Sequence, residues 1–196
     1  MRPLREPPSH RRRARGCLLA CILLPFGCDE APDPVDAVER APELGDRWLE
    51  LGQGVDAHTP LVDGDTLDVY LGTQHLVMFA FTLRLGGIEV PDDPGDYTDA
   101  RAPVVDLGLE VPGFDADGGF FRRVEGFPLV LSPEGDGDPD DPSYVAVFVP
   151  VIFPDAIEPE AVFGAEVVVH ARVRPASGPS LEVVHTLVVG DTLHAQ

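Results

Sequence analysis

Short apolar runs separated by clusters of Gly, Pro and Asp recur along most of this 196-residue chain. With 21 Pro and 20 Gly residues, the sequence leaves few uninterrupted stretches long enough for a helix. No run shows a sustained helical period, whereas several alternate apolar and polar residues with a period of two. This pattern predicts β-strands. The predicted strands are Trp48–Leu51, Thr66–Leu71, His75–Leu85, Val104–Val111, Phe120–Val124, Pro128–Leu131, Tyr144–Phe153, Glu166–Arg174 and Leu181–Val189.

Eight or nine short strands without helices predict an all-β domain, expected over residues 44–196. The expected architecture is a two-sheet antiparallel sandwich, immunoglobulin-like in general arrangement, with a Greek-key barrel as the alternative. The Cys–Trp–Cys core signature of antibody domains is absent, because all three cysteines lie at or before residue 28. The run His75–Leu85 is apolar on both faces at its start, which predicts a central strand.

The last two predicted strands are typical of a hairpin around residues 175–179. A register that sets Val173 opposite Leu181 aligns the apolar residues of both strands on one face. The same register sets Arg172 opposite Glu182 on the solvent face, where the opposite charges attract. A shift of the register by one residue would lose both the apolar alignment and the charge pair, so we expect this register.

The first 27 residues are typical of an export signal. Residues 2–15 carry six of the fourteen arginines and one acid, and residues 16–26 form an apolar run. This run is shorter than the ~20 apolar residues that a membrane span needs, and Pro25 interrupts it. The segment therefore predicts a signal peptide at residues 1–27.

The residues up to Cys28 resemble the lipobox of bacterial lipoproteins, in which leucines and a small residue precede a cysteine. Gly27 occupies the small position, while Pro25–Phe26 departs from the usual pattern. The segment Leu18–Cys21 fits the consensus better, but it leaves an apolar run of only about five residues, short for a signal peptide. We expect lipidation at Cys28, with Cys21 or ordinary cleavage as the alternatives.

The resemblance implies that Cys28 becomes the mature N-terminus and carries a diacylglycerol thioether. One acyl chain binds a membrane only marginally, whereas two or three hold a protein durably. The chain is therefore expected to be exported and held at the cell membrane or outer membrane, with its domain extracytoplasmic. Uncharacterised lipoproteins of this kind imply no particular activity.

The mature chain is strongly acidic. From residue 28 onward it has 33 acidic residues against 8 arginines and no lysine, a formal charge of −25. Such a charge repels phosphate backbones, so no nucleic-acid partner is expected. Residues 28–43 are acidic and rich in Pro with few large apolar groups, which predicts a disordered, extended tether.

One acidic loop is a candidate metal site. Asp136, Asp138 and Asp140 alternate like the first ligands of an EF-hand-type calcium loop. However, Asp141 stands where such a loop needs Gly, and Val147 stands where the bidentate Glu should be. Ordinary turn chemistry is the favoured interpretation and a weak Ca²⁺ site is the alternative. No other cofactor is expected.

Signals for catalysis are sparse. None of the serines after the signal peptide lies in a Gly-x-Ser-x-Gly motif. The histidines do not have the spacing of a zinc site, and His185 is expected to have a structural role opposite Val169. We therefore expect a non-enzymatic binding or scaffolding module of the cell envelope, with an envelope protein or glycan as partner. A Ca²⁺-dependent adhesion or carbohydrate-binding module is the alternative, and a hydrolase is less favoured.

The anchor prediction is tested by substitution. Cys28→Ser should abolish labelling by a radioactive or clickable fatty acid and release the protein from the membrane fraction, since no thiol remains at the processing site. Cys21→Ser, the matched control, should keep both label and membrane association. Retained label in Cys28→Ser together with loss in Cys21→Ser would move the anchor to Cys21.

Overall fold

The computed structural model describes residues 45–135 and 142–195, and Cys28 and the Asp136–Asp141 loop lie outside these ranges. The described residues form strands and one short 3₁₀ helix, Pro159–Ala161, so the all-β prediction is confirmed. The strands are β1 (Trp48–Gln53), β2 (Thr59–Pro60), β3 (Thr66–Leu71), β4 (Val77–Gly86), β5 (Val104–Glu110), β6 (Arg122–Pro128), β7 (Ser132–Pro133), β8 (Ser143–Ile152), β9 (Glu166–Arg174) and β10 (Leu181–Ala195).

Eight strands follow one hydrogen-bonded path in the order β2-β1-β4-β3-β10-β9-β5-β6. Strand β8 pairs with the second edge of β4, and β7 pairs with the start of β8. The pair β3/β10 is parallel, and the other pairs are antiparallel. Strands β6 and β8 approach each other without pairing in the described chain, so the sheet curls into an open half-barrel.

The expected sandwich of two separate sheets is therefore not what the strands form. The hairpin between β3 and β4 pairs Tyr70 with Met78 and Leu71 with Val77, which links the two halves through a continuous ladder. This connection arises because β4 is long enough to pair with β1 and β3 in succession along one edge. A period-two pattern predicts which residues face inward, but it does not say which strand edges meet.

Strand β4 is central, as its sequence predicts. Phe79, Phe81 and Leu83 on one face and Ala80 and Thr82 on the other are all fully buried. Its two edges are both paired, one with β8 and the other with β1 and β3. Burial on both faces and pairing on both edges make β4 the strand around which the half-barrel is organised.

The β9–β10 hairpin has the predicted register. Val173 pairs with Leu181 and Arg172 pairs with Glu182, and the Arg172 Nε lies 3.2 Å from the Glu182 carboxylate. The inward residues of β9 are buried, as the alternation predicts. Strand β10 continues past the predicted end at Val189 to Ala195, because residues 193–195 pair with β3.

The predicted strand Pro128–Leu131 is wrong over most of its length. Leu129 and Leu131 are buried, but their amides bond to the Pro103 and Pro94 carbonyls at 3.0 and 3.1 Å instead of to a strand. The segment is therefore a coil held against the loop of residues 91–103. Apolar residues in a short run give the same pattern whether they are buried in a strand or in a fixed coil.

Three phenylalanines form the centre of the core. The ring centroids of Phe79 and Phe153 are 4.8 Å apart, and those of Phe121 and Phe153 are 5.1 Å apart. Phe121 packs edge-on against both neighbours, an arrangement that is favourable beyond the area it buries. Phe121 comes from the β5–β6 connection, so it fastens that end of the half-barrel to β4.

We expect Phe121→Ala to lower the free energy of unfolding by about 3–5 kcal/mol, because it removes a fully buried ring and leaves a cavity. Urea unfolding followed by intrinsic fluorescence measures the change. Val62→Ala is the matched control, since Val62 is 59% exposed and should cost less than about 0.5 kcal/mol. Equal effects of the two substitutions would contradict the assignment of the core.

Candidate binding surface at the bulge of strand β8

Strand β8 contains a β-bulge at its middle. Phe81 pairs with Val149 and Leu83 pairs with Ala146, so Thr82 stands opposite two residues, Val147 and Phe148. A bulge bends a strand and redirects the side chains of its extra residue. Here Val147 and Phe148 are both exposed, at 41% and 38%, although they follow each other in a strand where directions normally alternate.

The bulge holds Phe148 in a left-handed backbone conformation with φ at 61°. In this region a bulky side chain is rare, and holding a residue other than Gly there costs about 1–3 kcal/mol. In the described part of the chain, His75, in the turn before β4, is the other such residue, with φ at 60°. The neighbours of His75 in this turn, Gln74 and Leu76, line a groove that Phe148 also lines.

Phe148 lines two grooves. The first has a volume of about 210 Å³ and separates the end of β6 from the middle of β8. Its lining is almost entirely apolar and comprises Tyr97, Phe127–Val130 and Ala146–Val149. The second has a volume of about 250 Å³ and lies between β8 and the β3–β4 turn. Its lining comprises Gly72–Gln74, Leu76, Met78, Phe148, Pro150 and Ile152. Phe148 thus forms a ridge shared by both grooves.

Exposed apolar side chains are concentrated at these grooves. Of the nine large apolar residues that are exposed in the described chain, five line one groove or the other. These five are Leu76, Tyr97, Val130, Val147 and Phe148. Single exposed apolar residues are ordinary on a soluble protein, whereas large contiguous apolar patches are typical of interaction surfaces. We call this group the ridge surface.

The loop beside the first groove is acidic. Asp96 accepts hydrogen bonds from the Thr98 hydroxyl at 2.6 Å and the Thr98 amide at 3.0 Å, and these bonds lower the pKa of its carboxyl. Hydrogen bonds from the Arg101 side chain likewise lower the pKa of Asp99. Both carboxylates are therefore charged at neutral pH. Tyr97, between them in sequence, is 55% exposed and contributes to the groove.

A buried polar cluster surrounds Thr82, the β4 residue that stands opposite the bulge. The Thr82 hydroxyl lies 2.8 Å from Nδ1 of His58, whose ring packs on Gly52 where any side chain would collide with it. Nε2 of His58 is 3.3 Å from Glu50, a carboxylate that only accepts, so the ring proton is favoured on Nε2. Arg84 joins the same cluster through Glu50, at 2.9 Å. Local sequence patterns carry no signal for this arrangement, because they place His58 only in a loop.

The hydroxyl of Thr82, the imidazole of His58 and the carboxylate of Glu50 thus lie close together. Their burial does not suit a hydrolytic site. Thr82 is fully buried, and the side chain of His58 is only 7% exposed, so a substrate carbonyl has no access to the hydroxyl. Burial lowers the pKa of His58, and nearby Glu50 opposes this effect. The cluster therefore holds a neutral histidine that satisfies a buried hydroxyl.

A further concavity, of about 370 Å³, lies on the outer face of β5, β6 and β9. Its arginines already have carboxylate partners: Arg174 donates to Asp106 at 2.8 Å, and Arg172 lies 3.2 Å from Glu182. Phe120 fills the space above Gly108 at its centre. This face therefore consists of cross-strand ion pairs that stabilise the sheet modestly.

His185, the other histidine considered from the sequence, makes contacts within the fold. His185 lies opposite Val169, as predicted, and its Nδ1 is 3.2 Å from the Asp63 carboxylate. The backbone amide of Thr186 and His185 together lower the pKa of Asp63. No group of three or more His, Cys, Asp or Glu side chains in the described ranges is arranged to hold a metal ion. The calcium candidate Asp136, Asp138 and Asp140 lies outside those ranges, so it stays a prediction.

The described residues contain no helix with the length and apolar character needed to cross a membrane. Comparison with protein-family models and with curated protein sequences gives no match for this chain. The ridge surface is therefore identified as a candidate binding surface from its geometry alone.

The lowered pKa of His58 predicts an acid-sensitive fold. The unfolded chain takes up a proton on His58 near pH 6.5, before the folded protein does, so stability should fall as the pH drops below that value. Urea midpoints at pH 7.5, 6.5 and 5.5 measure this slope. His58→Gln should flatten it. Equal slopes for the wild type and His58→Gln would contradict the role of His58.

Proposed function

We propose that the chain is an exported lipoprotein, anchored through Cys28, whose β-domain is a non-enzymatic binding module of the cell envelope. The ridge surface is its binding site. The observation that carries this proposal is Phe148: a bulky residue is kept in a strained backbone conformation and displayed to solvent beside two apolar grooves. Strain of this kind is typical of functional positions.

The chemistry of the ridge surface favours a protein as the partner over a glycan. Sugar hydroxyls need polar side chains that donate and accept hydrogen bonds, and the first groove is lined almost entirely by apolar groups. Apolar grooves instead bury the apolar side chains of another protein, which is the main favourable contribution in protein association. A glycan partner is thereby the less supported alternative.

The anchor and the acidic sequence that follows it suit such a module. Residues 28–43 would form a charged, Pro-rich tether, which at roughly 3 Å per residue reaches at most several tens of ångströms. The net negative charge of the mature chain would keep the domain away from anionic lipid headgroups. A tethered domain searches a limited volume, which raises the effective concentration of a partner in the same membrane.

A photocrosslinking residue placed at Val130 tests this function in the membrane-bound, lipidated chain. Val130 lines the first groove, and Val184, on β10, is equally exposed at 52% and serves as the matched control. Illumination should give one discrete adduct from position 130 and none from position 184. The Cys28→Ser form, released from the membrane, should lose the adduct. Identical products from both positions would contradict the proposed binding site.

A further inference from the structure

The two grooves of the ridge surface are small and separate. At about 210 and 250 Å³, each is below the ~300–1,000 Å³ range of pockets for small-molecule ligands. Each has room for one large apolar side chain. Because Phe148 lines both, an occupant that fills both grooves places one apolar side chain in each of them, next to this ring.

The edge of β8 is poorly suited to pairing with an added strand. The bulge at Val147 and Phe148 interrupts the regular spacing of its hydrogen-bonding groups. Pro150 lacks the amide hydrogen that a new ladder would need. Strand β7 already occupies Tyr144 and Val145. These are the features that protect an exposed edge from strand addition, so recognition must use side chains.

An amphipathic helix satisfies this requirement, because its backbone hydrogen bonds are all internal. The Cβ atoms of residues three or four positions apart on a helix are ~5–6 Å from each other, and their side chains can diverge to contact both sides of one aromatic ring. Docking of an apolar helix face into a groove is an established mode of peptide recognition.

The charge of the loop that carries Tyr97 into the first groove favours a basic polar face on such a helix. The loop of residues 91–101 holds Asp92, Asp93, Asp96 and Asp99 against one cation, Arg101, which contacts Asp92 and Asp99. Asp93 and Asp96 instead accept hydrogen bonds from their own turns. The loop therefore has an excess of negative charge. A second copy of this acidic chain would be repelled, whereas lysines and arginines would be attracted.

We propose that the ridge surface binds a basic amphipathic helix of another protein, with apolar side chains one turn apart seated on either side of Phe148. This inference rests on the proposed function and specifies the chemistry of its partner. Basic side chains beside the apolar face would lie against the loop of residues 91–101. Apolar contacts would set the affinity, and the aspartates would select for charge.

The experiment uses the mature soluble chain (Cys28→Ser, lacking the signal) and three synthetic 18-residue peptides. One has a leucine face and lysines elsewhere, the second replaces the lysines with glutamate, and the third replaces the leucines with serine. Fluorescence anisotropy measures each Kd at 50 and 200 mM salt. The leucine–lysine peptide should bind at least tenfold more tightly than either of the others. Equal affinity for the leucine–glutamate or serine–lysine peptide would overturn the proposal.

Matched variants locate the binding. Val130→Ser and Val147→Ser should each weaken binding of the leucine–lysine peptide at least fivefold, whereas the equally exposed controls Val62→Ser and Val184→Ser should change it less than twofold. Asp96→Asn keeps an oxygen that can accept the hydrogen bonds of its turn but removes a negative charge. It should therefore reduce the affinity and its salt dependence, whereas the control Asp191→Asn should change neither. Thermal melting verifies that each variant folds. A loss common to ridge and control variants would overturn the site.

The two proposals fail in different ways. A specific crosslink at Val130 in membranes, without binding of the leucine–lysine peptide, would leave the binding module in place and overturn the basic-helix partner. Peptide binding that is abolished by Val147→Ser, without any crosslink in membranes, would support the helix site and contradict the envelope function.

Discussion

The structure depends on strand β4, whose ten residues are paired on both edges and buried on both faces through most of their length. The apolar face carries Phe79, Phe81 and Leu83 into the core, while the opposite face buries Thr82. A buried hydroxyl without a partner would be costly, and His58 provides that partner at 2.8 Å. The Thr82 hydroxyl is therefore satisfied although the strand is covered on both sides.

The candidate surface follows from the same strand. Strand β8 pairs with β4 on both sides of Thr82, and the extra residue between these two ladders produces the bulge. Val147 and Phe148 are consequently turned outward, with Phe148 in a conformation that costs about 1–3 kcal/mol. A glycine would adopt this conformation without strain. Glycine, however, would leave no ridge between the two grooves, so the strain and the surface have one origin.

Local patterns in the sequence predicted the parts of the fold that depend on neighbouring residues. Alternation in β9 and β10 gave their faces, and the Arg172–Glu182 pair gave their register. Two features depend on which strand edges meet: the pairing of β3 with β4, and the open seam, which is the unpaired gap between β6 and β8. Period-two patterns carry no information about the meeting of edges. The bulge was also invisible, because Phe148 has the sequence context of an ordinary strand residue. A glycine at position 148 would have indicated a bulge, because glycine adopts a positive φ without strain.

Amide hydrogen exchange of the free domain tests the central claim most directly. If β4 organises an open half-barrel, its amides should exchange most slowly, at a rate set by global unfolding. The amides of β8 at the bulge, those of Val147 and Phe148, lie outside the regular ladder with β4 and should exchange orders of magnitude faster. Uniform protection along β8, equal to that of β4, would show that another segment closes the seam and would contradict an open binding surface there.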